Sequence, residues 1–290
     1  MAINCQALKY AIPLLYLCPT GDYMPGDPFT AEEDIAFYTL FRKELDKINY
    51  TRSAAAYNWH DNPDKTIEFT NKLMVRFFMY MELIETMSSD ISNVINELAT
   101  CIRHLKAWNL VIRNLNQRDL HHIVVEFIDH EAKYALTLPY SIKAKFIFAT
   151  SLLSHQANAA KIPGWVDKLE PDEKIVQEVM DRVAKPWKGY KKFKLRLELI
   201  GNNEYRQKTN DFRNSLVHRF QQDICIGFTT ILERDEKSDP PSYSIKQLPP
   251  LELSDIVIIL EEEHEKTHNA LELFKILVNE QISNFKLHQK

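Results

Sequence analysis

Hydrophobic residues recur at intervals of three and four along much of the chain, which is the spacing of an amphipathic helix. This spacing holds within a run of 75 residues, between Pro63 and Pro139, that contains neither proline nor glycine. Within that run, Ser88-Ser89-Asp90 is typical of a helix N-cap. The pattern therefore predicts one helix over 67–87 and a second that begins after Asp90, whose apolar stripe is Ile91, Val94, Ile95, Leu98, Ile102 and Leu105.

One stretch departs from helical spacing. Residues 225–232 are β-branched and aromatic, Asp239-Pro240-Pro241 follows, and a second short run covers 243–247. This arrangement predicts a small β-hairpin or an ordered loop near 225–247. Ser254 is predicted to cap a final helix that ends near Ile282. The predicted fold class is all-α, a multi-helix bundle with this one β excursion, and further helices are expected near 30–48, 119–134, 141–160, 172–185, 188–200 and 203–220.

Composition narrows the function classes. The 290 residues include only six glycines, and these form neither the G-x-G-x-x-G of dinucleotide-binding folds nor the P-loop of NTPases, which argues against both. The four cysteines are widely spaced and form no C-x-x-C pair, as expected for free thiols in a reducing cytoplasm. We find neither a signal peptide nor an apolar run long enough to cross a membrane. The sequence predicts a soluble, cytoplasmic protein.

Charge is concentrated in one segment, residues 181–220. It holds eleven Lys and Arg against four acids, a net charge of +7 that leaves −11 on the rest of a chain whose total is −4. Trp187, Tyr190, Phe193 and Tyr205 lie among these cations. Phosphate contacts and base stacking would suit a polyanion such as RNA, whereas a solvated helix face is the simpler alternative. The residues predicted to bind RNA are Lys188, Lys191, Lys192, Lys194, Arg206 and Arg219.

The basic segment contains the motif Arg213-Asn214-x-x-x-His218. On a helix Asn214 and His218 share a face, and the long side chain of Arg213 can reach the same region. Cleavage of RNA by its own 2′-OH requires a base for the hydroxyl proton and a cation for the charge that builds on the phosphate oxygens. A histidine and an arginine can meet both needs, so we predict a catalytic site that requires neither metal nor cofactor.

This motif resembles the R-x(4–6)-H signature of the HEPN superfamily, in which a polar residue often follows the arginine. The resemblance implies a helical, metal-independent endoribonuclease in which His218 transfers protons, Arg213 stabilises the transition state and Asn214 orients the site. It also implies a homodimer with a composite cleft, products with 2′,3′-cyclic phosphate and 5′-OH ends, and a role as a toxin or phage-defence effector, with an antitoxin protein as partner.

The resemblance covers six residues, and HEPN domains are commonly half as long as this chain. Four prolines within the first thirty residues predict an irregular lead-in over 1–30, and residues 31–290 are predicted to form a single enlarged helical domain. If the domain is divided, its internal boundary falls near 135–165 and the HEPN-like part is 166–290. The alternative function is a catalytically silent helical module that binds RNA or a protein.

A second motif, His264-Glu265-Lys266-Thr267-His268, matches the H-E-x-x-H zinc-protease signature. Two histidines four residues apart can share a zinc ion, with Glu265 as general base and Glu280 as a third ligand. The context disfavours zinc, because Lys266 places a cation inside the motif and three glutamates precede it. His264 also falls on an apolar line of the final helix, which indicates a histidine at the edge of the core.

Overall fold

The computed structural model describes residues 29–48, 54–57, 59, 71–235, 237 and 240–287, and the chain forms two compact units, Met1–Thr39 and Leu40–Lys290. Of the predicted lead-in over 1–30, all but Phe29 and Thr30 lies outside the described residues. In the first unit, a reciprocal capping box begins helix α1 (Ala31–Lys47): Glu33 N donates to Thr30 Oγ1 over 3.2 Å, and Thr30 N donates to Glu33 Oε2 over 2.7 Å.

The second unit is a bundle built on three long helices, α2 (Asn71–Val111), α4 (Asp129–Lys161) and α9 (Leu253–Leu287), which pack against one another. The all-α prediction is confirmed. None of the described helices is long and apolar enough to cross a membrane. The shorter helices are α3 (Gln117–Ile123), α5 (Gln177–Ala184), α6 (Tyr190–Leu197), α7 (Asn203–Lys208) and α8 (Phe212–His218), and α5 packs on α4 while α6 packs on α9.

Helix α2 corrects the predicted break at residues 88–90, because it runs without interruption. The Ser88 hydroxyl donates to the carbonyl of Glu85 within the same helix, so this serine does not act as a cap. With no proline or glycine nearby, nothing else ends the helix there. The predicted apolar stripe is confirmed, since every member from Ile91 to Leu105 is buried.

Helix α4 passes through Pro139, where separate helices over 119–134 and 141–160 were expected. Proline has no amide hydrogen and normally breaks or kinks a helix. Here a five-residue π-helical turn, Val124–Ile128, joins α3 to α4, and the helix continues through the buried proline. The carbonyl of Leu136, one turn before Tyr140, accepts a hydrogen bond of 2.6 Å from the buried hydroxyl of Tyr205. Continuous α4 spans most of the predicted internal boundary region, and residues 40–290 form one unit.

A polar chain links the three long helices inside the core. The Tyr80 hydroxyl on α2 donates to Gln281 Oε1 on α9 over 2.6 Å, and Gln281 Nε2 donates to Ser154 Oγ on α4 over 2.9 Å. All three side chains are buried. Because each of these buried polar groups has a partner, the three hydrogen-bonded side chains fix how the helices face one another rather than destabilising the core.

The predicted hairpin is confirmed. Strands β1 (Thr229–Asp235) and β2 (Ser242–Leu248) pair antiparallel, with Leu232 opposite Ile245 and Arg234 opposite Tyr243. The base of the hairpin is tied to the preceding loop by a hydrogen bond of 2.9 Å from Asp223 N to Thr229 Oγ1. No helix of the described part packs broadly on either strand.

Candidate active site

The helix predicted over 203–220 is divided in two just before the Arg213 motif. Asn210 and Asp211 adopt left-handed backbone conformations with φ of 50° and 55°, and these end α7 and start α8. Such conformations cost about 1–3 kcal/mol for residues other than glycine, and they are concentrated at functional sites. The strained turn sets the direction in which α8 carries Arg213, Asn214 and His218.

Asp211 is the centre of a small polar cluster at this turn. Arg206 Nε donates to Asp211 Oδ1 over 2.9 Å, and Asn214 Nδ2 approaches both carboxylate oxygens at 2.9 and 3.0 Å. The hydrogen bond from Arg206 holds the pKa of the Asp211 carboxyl below its usual value. Asn214 therefore orients Asp211, and its amide nitrogen is already engaged.

Arg213 lies against an aromatic ring. Its guanidinium carbon lies 5.2 Å from the centroid of the Tyr140 ring, which is within range of a cation–π interaction. Gly201, with φ of +56°, packs on the same ring so closely that a Cβ atom there would lie 3.2 Å from a ring carbon. Burial and the charge of Asp211 raise the pKa of Tyr140. The hydroxyl is thus neutral near pH 7 and the ring serves as a platform.

The backbone at Ile200 and Gly201, which packs on the Tyr140 ring, is held by two charged side chains from the long helices. Glu263 on α9 accepts a hydrogen bond of 2.8 Å from Gly201 N, and Lys143 on α4 donates to Ile200 O over 3.0 Å. Glu263 is 1% exposed and also pairs with Lys266 at 2.7 Å. Burial lowers the pKa of Lys143. Through Gly201 and Tyr140, the two charged side chains connect the bundle core to the position of Arg213.

His218 is the last residue of α8 and is exposed, as is Arg219 beside it. It lies five residues after Arg213, about 7.5 Å along the helix axis. Within the described chain, no hydrogen bond or ion pair joins Arg213, Asn214 and His218 to one another. The structure places all three on one short solvent-facing helix, with Arg213 drawn towards Tyr140.

The residues predicted to bind RNA do not form one patch. Lys188 N and Gly189 N donate to Glu280, whereas Gly201 N donates to Glu263, seventeen residues earlier on α9. At 1.5 Å per residue, these two points are about 25 Å apart along α9. Lys188, Lys191 and Lys192 are exposed and belong to the end of the basic segment that contacts Glu280. Lys194 pairs with Asp181 at 2.8 Å. Arg206 and Arg219 lie near the Arg213 motif.

The aromatic residues of the basic segment are in the core, which corrects the expectation that they stack on bases. Trp187, Tyr190, Phe193 and Tyr205 are all less than 8% exposed. The three-residue spacing of Trp187, Tyr190 and Phe193 reflects the buried side of α6 and of the turn before it, and Tyr205 is the buried residue of α7. Phe220, two residues after His218, is instead 86% exposed.

The H-E-x-x-H residues occupy the middle of α9. His264 is buried, as its apolar surroundings predict, and its ring meets the ring of His268 at 4.6 Å between centroids. Glu265 is on the exposed side of the helix. The described residues hold no group of three His, Cys, Asp or Glu side chains able to bind a metal.

The third zinc ligand suggested for this motif is wrong. Glu280 lies sixteen residues after His264 on the same helix, about 24 Å away. Both of its oxygens accept backbone hydrogen bonds, from Lys188 N at 2.9 Å and from Gly189 N at 2.8 Å. Its role is to hold the start of α6.

Comparisons of this chain with protein-family models, with curated proteins and with solved structures found no match. The site therefore has to be interpreted from its own geometry. Sequence reasoning missed Tyr140, Gly201 and Glu263, because they come from three distant parts of the chain. The left-handed turn had one local signal, the Asn210-Asp211 pair, since these residue types tolerate positive φ best after glycine.

Proposed function

We propose that the protein is a metal-independent endoribonuclease that acts in the cytoplasm and cleaves RNA through the 2′-OH. The proposal is carried by one observation: α8 presents Arg213 and His218 to solvent on the same short helix, directly after a strained left-handed turn. The basic side chains of Arg206 and Arg219 lie beside it, so the phosphate of a bound strand is attracted to the same place.

In the proposed reaction, His218 accepts the proton of the 2′-OH as that oxygen forms a bond to phosphorus. The bond between phosphorus and the 5′-oxygen breaks, and the departing 5′-oxygen takes a proton from solvent water. Arg213 stabilises the charge on the phosphate oxygens, because a guanidinium is permanently charged and binds two of them at once. The Tyr140 ring limits the directions in which Arg213 can turn. The products would carry a 2′,3′-cyclic phosphate and a 5′-OH.

A second candidate, a silent RNA-binding module, is favoured by the Asp211 cluster. Its carboxylate already engages Arg206 and Asn214, so part of the polar machinery is satisfied without substrate. A module of this kind would bind RNA at the same helix and leave it intact. Cleavage assays separate the two candidates directly.

The test is cleavage of a labelled single-stranded RNA in excess EDTA by the wild type, Arg213→Ala and His218→Ala. Loss of a general base or of a transition-state cation is expected to slow cleavage about 100-fold or more. Arg196→Ala and His130→Ala are matched controls, because both residues are exposed and lie outside the motif. Equal rates in motif and control variants, or cleavage that EDTA abolishes, would reject the proposal.

A further inference from the structure

Both faces of the β1–β2 hairpin are exposed near its turn, and one of them carries a cluster of apolar side chains. Side chains alternate along a strand and opposed residues share a face. The register therefore places Leu232 and Ile245 side by side, with Tyr243 and Arg234 as the next pair towards the turn. The opposite face is polar over Glu233, Lys246, Asp235, Ser242 and Ser244, and at its base Ile231 and Leu248 are half-buried.

The apolar side chains are largely uncovered in the described chain. Leu232 is 66%, Tyr243 60% and Ile245 74% exposed, and Phe228, just before β1, is 68% exposed. An isolated two-stranded hairpin is marginally stable in water and needs a hydrophobic face packed against something. Strand-forming residues placed on an outer apolar face thus indicate an interface.

We infer that this face packs on the same face of a second copy of the chain, giving a homodimer held by two hairpins. The side chains offer on the order of 500 Å² of apolar surface, about the largest patch that monomers expose. That is more than half of the ~800 Å² that each partner contributes to an interface of standard size. A small apolar ligand would cover only part of it.

The face is also self-complementary. With a two-fold axis between the sheets and perpendicular to the strands, the turn end of one hairpin lies over the open end of the other. The central pair Leu232 and Ile245 then meets its own copy, and Tyr243 near the turn lies over Gln247 of the second copy, beside Thr230. Both polar faces, with their Glu233–Lys246 pair, stay in water.

RNA fits this face less well. Its centre is aliphatic, and Arg234 is the one cationic side chain that the register places on it. Binding of an RNA strand relies on aromatic platforms in a positively charged groove, and a single cation beside Tyr243 does not make such a groove. The inference names a second copy of the chain as the partner of the proposed enzyme, and it is argued from the hairpin rather than from the Arg213 motif. Its readout is mass rather than cleavage, so either proposal can fail alone.

The test is the mass of the full chain by light scattering coupled to size exclusion, over a dilution series. The wild type is expected at twice the 34.0 kDa of one chain. Ile245→Lys places a charge in the proposed interface and is expected to raise the dimer dissociation constant at least about 100-fold, giving a monomer. Ser244→Lys is the matched control, since the neighbouring Ser244 lies on the polar face, and is expected to remain dimeric.

Three results would overturn the inference. They are a monomeric wild type, an Ile245→Lys variant with the wild-type mass, and an Ile245→Lys variant that loses RNA affinity without any change in mass. Because Ile245 is exposed in the monomer, the substitution leaves the bundle intact, and an unchanged circular dichroism spectrum and melting temperature check this. Tyr243→Asp, on the same face, is expected to reproduce the effect of Ile245→Lys.

Discussion

Removal of the Glu263 carboxylate tests how firmly the bundle holds the candidate site. Glu263 is 1% exposed and accepts hydrogen bonds from Gly201 N at 2.8 Å and from Lys266 Nζ at 2.7 Å. Glu263→Ala leaves the Gly201 amide without its acceptor and the Lys266 ammonium without its counter-ion. Breaking a buried charged pair from one side costs about 3–5 kcal/mol, and the lower end applies here because the Lys266 side chain is 20% exposed. For a chain of 290 residues, 3 kcal/mol corresponds to a fall in melting temperature of about 5 °C.

The same helix supplies a matched control. Glu272 pairs with Lys275 at the same three-residue spacing and at 2.6 Å, but its side chain is 64% exposed. Exposed pairs of this kind contribute less than about 0.5 kcal/mol. Urea and thermal unfolding of Glu263→Ala and Glu272→Ala should therefore differ by at least 2 kcal/mol, with Glu263→Gln between them. Losses in the two alanine variants within about 0.5 kcal/mol of each other would refute the reasoning.

Three further predictions concern the core, the free energy of unfolding at acidic pH and the reactivity of the thiols. Tyr80→Phe removes the donor to buried Gln281 and should cost about 1–3 kcal/mol in urea unfolding, whereas a loss near zero would mean that the polar chain contributes nothing. Arg206 lowers the pKa of Asp211 in the folded state, so the contribution of Asp211 to stability is present above pH ~4 and is lost as the pH falls through the folded pKa. Asp211→Asn should therefore reduce the loss of unfolding free energy between pH ~4 and the folded pKa, and an unchanged pH dependence would contradict this. Burial raises the pKa values of Cys101 and Cys225 to about 12, so peptide-level mass spectrometry should find both unmodified after alkylation of the native protein and both modified after unfolding.

The fold was predictable wherever a signal is local. The three- and four-residue spacing identified the buried stripe of α2, and the β-branched run at 225–232 identified the hairpin. Boundaries failed where local signals compete with tertiary packing. Ser88 bonds back into its own helix rather than capping a new one, and Pro139 is accommodated within α4. In both places, burial against neighbouring helices outweighs the intrinsic preference of the residue.

The candidate site was predictable only in its motif. Arg213, Asn214 and His218 are adjacent enough for helical geometry to place them on one element, and they do lie on α8. The partners that decide their chemistry are not local, since Tyr140 comes from α4 and Glu263 from α9. The basic segment misled for a related reason. Periodic aromatics among lysines indicate a stacking surface and a buried helix face equally well, and only packing distinguishes the two.

The most direct test of the proposed chemistry uses one sequence made as RNA, as DNA and as RNA with 2′-O-methyl groups, each incubated with the protein in excess EDTA. If His218 activates the 2′-OH, the unmodified RNA is cut to products with 2′,3′-cyclic phosphate and 5′-OH ends, identified by mass spectrometry. The DNA and the methylated RNA remain intact, and His218→Ala abolishes cleavage of the RNA. Cleavage of the DNA or the methylated strand, or RNA that is bound and never cut, would contradict the account.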